Sequence, residues 1–93
     1  MARKTQTFRK DPDAVLDYGF DWSDWLATGE AISVSTWTVP TGITKDSDAS
    51  ADSTTTIWLS GGTDGTTYTL TNHITTDAGR EDDRSFDVIV EER

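Results

Sequence analysis

Two stretches of strict alternation dominate the hydrophobic pattern. Tyr68, Leu70, Asn72, Ile74 and Thr76 fall at every second position, and Arg84, Phe86, Val88 and Val90 repeat the rhythm. A period of two belongs to strands with one buried and one wet face. Between them, Asp77-Ala78-Gly79-Arg80 reads as a hairpin turn, with Gly where positive φ is cheapest. The Gly61-Gly62-Thr63-Asp64-Gly65 bend shortly before Tyr68 has the look of a tyrosine corner, the E–F corner feature of immunoglobulin-like sandwiches.

The rest of the chain follows the same rhythm less cleanly. Leu16, Tyr18, Phe20 and Trp22 share one side of a strand over Val15–Trp22, and Ser23-Asp24-Trp25-Leu26 forms a single turn after it. Ala31–Val39 is a strand whose apolar parity changes between Val34 and Trp37. Either a β-bulge sits near Ser35-Thr36 or the two halves pair with different sheets. Pro40-Thr41-Gly42 ends it, and Ile43-Thr44 opens a polar stretch to Ser53 that is an edge strand or a mobile loop. Thr54–Ser60 turns Thr55, Ile57 and Leu59 one way and Thr54, Thr56 and Trp58 the other. No stretch sustains an apolar period of 3.6, and the 17 Thr suit strands. The pattern predicts an all-β, Ig-like Greek-key β-sandwich of about seven strands, residues 13–93, preceded by an extended basic N-terminal arm, residues 1–12.

Composition narrows the setting. Ninety-three residues make one domain with a modest core. The absence of Cys removes disulfides and thiolate metal sites and favours synthesis in a reducing cytoplasm. No apolar run approaches the roughly 18–20 residues of a membrane span, and no signal-peptide core follows Met1. The net charge is −9, yet Arg3, Lys4, Arg9 and Lys10 stand together with no acid among the first ten residues. The remainder holds four bases against 17 acids and repels nucleic acid. The arm suits an acidic protein surface, such as a neighbouring copy, with Phe8 as its apolar anchor.

Candidate chemistry is thin. His73, the single imidazole, lies on the outward parity of its strand and reads as a solvated or hydrogen-bonded surface His. Ser60 precedes Gly61-Gly62 without the flanking Gly of a nucleophile elbow. Asp46-Ser47-Asp48 begins like a calcium loop, but the positions for the turn Gly and the bidentate Glu hold Ala51 and Ile57. That leaves only a loose calcium reading for Asp46, Asp48, Asp52 and Asp64. No catalytic group, cofactor or metal is expected. Trp22, Trp25, Trp37 and Trp58 are the sharpest residues: Trp37 is read as the core aromatic, and Trp25 and Trp58 as interface residues, where Trp is enriched.

Several blocks carry a resemblance. Asp11-Pro12-Asp13-Ala14-Val15-Leu16-Asp17-Tyr18 and Asp21-Trp22-Ser23-Asp24-Trp25-Leu26 resemble small Ig-like structural proteins of tailed bacteriophages, described as fiber–tail adaptors. Ser35–Gly42, Thr56–Thr63, Tyr68–Asn72 and Asp82–Arg84 continue it, from about residue 9 onward. The resemblance implies a virion component without enzymatic activity, assembled in the bacterial host cytoplasm. The expected partners are tail, neck or major capsid proteins and further copies of the chain, with no nucleic acid or membrane. Arg3, Lys4, Phe8, Arg9, Lys10, Trp22, Trp25 and Trp58 are the expected contact residues. Capsid decoration is the rival role within that class, and glycan binding is the rival outside it.

Overall fold

A computed structural model describes residues 6–92. It contains seven strands, β1 Gln6–Lys10, β2 Leu16–Asp21, β3 Ile32–Thr38, β4 Ile43–Ser50, β5 Thr54–Gly61, β6 Thr67–Thr76 and β7 Glu81–Val90. They form two sheets, β1-β7-β6-β3 and β2-β5-β4. This is the Ig-like sandwich that the alternation predicts: two strand hairpins, β4–β5 and β6–β7, lie in different sheets, and the remaining connections cross between them.

The long hairpin is the spine. In β6, Tyr68, Leu70, Asn72, Ile74 and Thr76 are all buried, and in β7 so are Phe86, Val88 and Val90. Their register is continuous from Thr67 opposite Ile89 to Thr75 opposite Glu81. The facing sheet contributes Ile43, Ile57 and Leu59. Each such side chain withdrawn from water contributes about 1.5–3 kcal/mol before entropy is counted. The tyrosine corner forms: the Thr63 N–H donates to the Tyr68 hydroxyl at 3.0 Å. Gly62 makes the bend feasible, since its φ is +98° and an added Cβ would lie 2.6 Å from Val90 Cγ2.

Two local expectations are corrected and one open alternative is decided. The parity change in β3 comes from a register shift between Ile32 and Val34, earlier than Ser35-Thr36. Both halves of β3 pair with β6, and the shift turns Val34 outward to 50% exposure. Lys45–Ser50 is an edge strand with its own shift between Lys45 and Ser47, a device that spoils further strand pairing. Gln6–Lys10 is a strand of the sandwich, pairing parallel with β7 from Gln6 opposite Phe86 to Lys10 opposite Val90. The sandwich therefore begins at least seven residues earlier than the expected boundary at residue 13, and any separate arm is confined to residues 1–5, outside the described residues.

Candidate docking site

The expected contact residues divide sharply. Arg3 and Lys4 lie outside the described residues. Phe8 is half-buried, with its ring 5.0 Å from Tyr18 and 5.5 Å from Phe86, so it anchors β1 to this chain's own core. Lys10 is fully enclosed, and its Nζ donates to the Gly61 carbonyl at 2.7 Å and the Asp11 carbonyl at 3.0 Å. Burial pushes its pKa down, against the pull of Asp11, Asp13 and Asp46. Lys10 alternates with Phe8 on the inward side of β1, which leaves its stem in the core and its ammonium at a carbonyl pair. Neither Phe8 nor Lys10 is a free contact residue. Arg9 points outward and pairs with Glu91, both side chains well exposed, a geometry of small energetic weight.

Trp22 is likewise corrected. It is 0% exposed, and it is the buried core Trp in place of Trp37. Its indole N–H donates to Asn72 Oδ1 at 3.2 Å and Thr55 Oγ1 at 3.3 Å. Trp37 is half-buried, 6.0 Å from Phe20 and 5.9 Å from Phe86, and its indole nitrogen has no hydrogen-bond partner among the described residues. Around Phe86 the rings of Phe8, Tyr18, Phe20 and Trp37 close an aromatic core.

The Asp21–Leu26 block is a braced loop. The Ser23 N–H donates to Asp21 Oδ1, and the Trp25 and Leu26 N–H groups donate to the Trp22 carbonyl. Two arginines from the hairpin lock it. The Arg84 guanidinium lies 4.2 Å over Trp22 and pairs with Asp24 at 3.1 Å. The Arg80 guanidinium lies 4.1 Å over Trp25, donates to the Trp25 carbonyl, and pairs with Glu30. A cation over an indole with a carboxylate fixing its plane is a strong use of arginine. Glu30 is enclosed, and hydrogen bonds from Arg80, then Thr76, then the Ala27 N–H hold its carboxyl at about 2. Trp25 is thus half-buried beneath Arg80.

His73 sits between Glu81 Oε1 at 2.8 Å and Asp83 Oδ1 on the outer face of the four-stranded sheet. Hydrogen bonds to Glu81 and then Asp83 raise its pKa. Three of the four acids of the loose calcium reading serve separate contacts: Asp46 accepts from Ser60, Asp48 pairs with Lys45, and Asp64 accepts from the Glu92 N–H. Among the described residues no group of three or more His, Cys, Asp or Glu is arranged to hold a metal.

Trp58 differs from the other Trp residues. It is 42% exposed at the middle of β5, the central strand of the three-stranded sheet. It faces outward because Thr55, Ile57 and Leu59 take the inward positions. Its cross-strand neighbours are Asp17 on β2 and Ser47 on β4. The next row carries Gly19, Thr56 and Ala49, all small. Val15, 54% exposed, shares the parity of Asp17 just before β2 begins. Sequence reasoning missed Asp17 and Val15 as members of this patch, because the β2–β5 register that brings them to Trp58 is not written in either strand alone.

A braced loop, an enclosed aromatic core and one exposed indole on the outer face of the three-stranded sheet mark an Ig-like β-sandwich. A family model described as "Podophage GP4 fiber-tail adaptor protein gp77" matches residues 10–89. The chain belongs to this family of phage fiber-tail adaptor structural proteins, components of the virion. No curated protein matches it. Among solved structures, it is similar to the solution structure of the PKD domain from the KIAA 1837 protein, with 21% identity and a TM-score of 0.55, over 100% of this chain and 85% of that one. At that identity the likeness concerns the fold alone.

Proposed function

We propose that the chain is a non-enzymatic adaptor that holds a fibre on the tail or neck of the virion, gripping its neighbours through the Trp58 face and the basic residues Arg3 and Lys4. The observation that carries this reading is the exposure of Trp58. A large aromatic left 42% exposed in a chain whose other Trp residues are packed is the anchor of an interface. Family membership supplies the setting. The charge supports a protein partner: the described residues contain all 17 acids but only five bases.

The test has two parts. Quantifying the chain against the major capsid protein in purified virions is expected to give about a dozen copies or fewer, matching tail symmetry; hundreds of copies would assign it to the capsid lattice. Deleting residues 1–5, which stops short of β1, is expected to leave a folded monomer that no longer joins particles. Full occupancy by that truncated protein would refute the role of the arm.

A further inference from the structure

We infer that Trp58 and Asp17 form a receptor for an arginine side chain supplied by a partner protein of the virion, an inference that rests on the adaptor reading. The chain contains its own precedent twice. Trp22 is covered by Arg84, which pairs with Asp24, and Trp25 is covered by Arg80, which pairs with Glu30. Trp58 and Asp17 repeat the indole and the carboxylate without the arginine.

The geometry suits the missing group. Asp17 and Trp58 are directly opposite in an antiparallel pair and share the outward face. Side chains so placed stand about 4.5–5.5 Å apart at Cβ, which lets one guanidinium lie on the ring and reach the carboxylate. The Asp17 carboxylate is exposed and makes no hydrogen bond or ion pair with the described residues. Beside it the face stays open by necessity: a Cβ on Gly19 would come within 2.3 Å of the Thr55 carbonyl oxygen, so nothing larger than Gly fits there. Val15 adds exposed apolar surface along the same side for the partner's side-chain stem.

No base among the described residues is available to supply the cation. Every base among the described residues is committed: Arg9 to Glu91, Lys10 inside the sandwich, Lys45 to Asp48, Arg80 to Glu30 and Arg84 to Asp24. The chain's two ends join the described fold at β1 and beyond β7, both in the four-stranded sheet, whereas Trp58 faces out of the other sheet. Arginine fits better than lysine, because a planar guanidinium stacks on an indole and presents two donors to one carboxylate. A glycan platform is less well matched, since Trp58 is the one aromatic among the strongly exposed large apolar residues described.

The experiment uses the full chain, isotope-labelled for nuclear magnetic resonance, and the amidated peptides Gly-Arg-Gly and Gly-Lys-Gly at equal ionic strength. The indole N–H resonance of Trp58, assigned by its loss in Trp58→Phe, is expected to move with the arginine peptide. Binding is expected to be about fivefold tighter than for the lysine peptide, and Asp17→Asn to remove most of that preference. Both substitutions lie on the surface and are expected to leave the melting temperature unchanged. In virions, Trp58→Ala and Asp17→Arg are expected to cut incorporation at least about tenfold, as losing an interface anchor does. Equal response to both peptides overturns the inference. So does a response of Trp58 to a neutral oligosaccharide instead, or a shift of its resonance when residues 1–5 are deleted. Full incorporation of both variants, with normal incorporation of the unaltered chain, refutes this site and the Trp58 grip, and leaves standing only the adaptor role that family membership supplies. Absence of the unaltered chain from purified virions would refute that reading itself.

Discussion

Replacing Asn72 by Leu tests whether polar contacts hold the two sheets together. Asn72 Oδ1 accepts from Thr55 Oγ1 at 2.6 Å and from the Trp22 indole N–H at 3.2 Å. Its Nδ2 donates to Ser35 Oγ at 2.9 Å and the Thr36 carbonyl at 3.0 Å. The residue is 0% exposed and bridges β6 to β3 in its own sheet and to β5 and Trp22 across the core. Four such bonds at about 0.5–1.5 kcal/mol net would total roughly 2–6 kcal/mol. Trp22 and Thr55 already bond each other at 3.3 Å and keep that bond, so neither is left unsatisfied and the cost falls short of the upper figure. A destabilisation of about 3 kcal/mol is expected, which for a domain of this size lowers Tm by roughly 12–24 °C. Urea unfolding followed by Trp fluorescence and far-ultraviolet circular dichroism measures it, with an unchanged m-value. A double-mutant cycle with Thr55→Val should show coupling of at least about 0.5 kcal/mol. A loss under about 1 kcal/mol, or a gain, would show that apolar packing at position 72 is as good and that the network is dispensable.

Two further expectations concern backbone and pH. Gly79→Ala meets only left-handed backbone strain, because nothing lies within 4 Å of the added Cβ, and should cost about 1–2 kcal/mol. Gly62→Ala adds a clash with Val90 and should cost about 1–3 kcal/mol more; equal losses in denaturant melts would refute the packing account. Glu30 titrates at about 2 in the fold against an ordinary 4.5, so its stabilisation is complete above the ordinary value and disappears as pH falls through about 2. Melts across that window should show the unaltered chain converging on Glu30→Gln; a gap that persists undiminished at pH 2 would contradict this.

The alternation of β6 and β7 was readable because each strand is long, half-buried and uninterrupted. The tyrosine corner was readable for a similar reason: its Gly-rich bend and its Tyr are close in sequence. What lay beyond reading depends on distant partners. Trp22 outranks Trp37 as the buried indole because Thr55 and Asn72, 33 and 50 residues away, receive its N–H. β1 carries one apolar residue, Phe8, and two cations, and its strand character comes from the open side of β7. Lys10 looked like surface charge because no local signal announces that the Gly61 carbonyl waits above it. The shift at Ser33 was implied by Ile32 and Trp37 both needing the inside, yet any intervening residue could have absorbed it.

The parallel pairing of β1 with β7 joins Gln6 to Phe86, almost the whole length of the chain. During synthesis, β1 has no partner until β7 leaves the ribosome. Closing that edge is a slow, nonlocal event. Until then β7 offers an unfilled groove that Gln6–Lys10 of another molecule fits equally well, tethered to its own body only by the Asp11–Val15 loop. Refolding at high concentration is therefore a contest between self-closure and strand exchange. Dilution favours the monomer, and crowding of nascent chains favours swapped pairs.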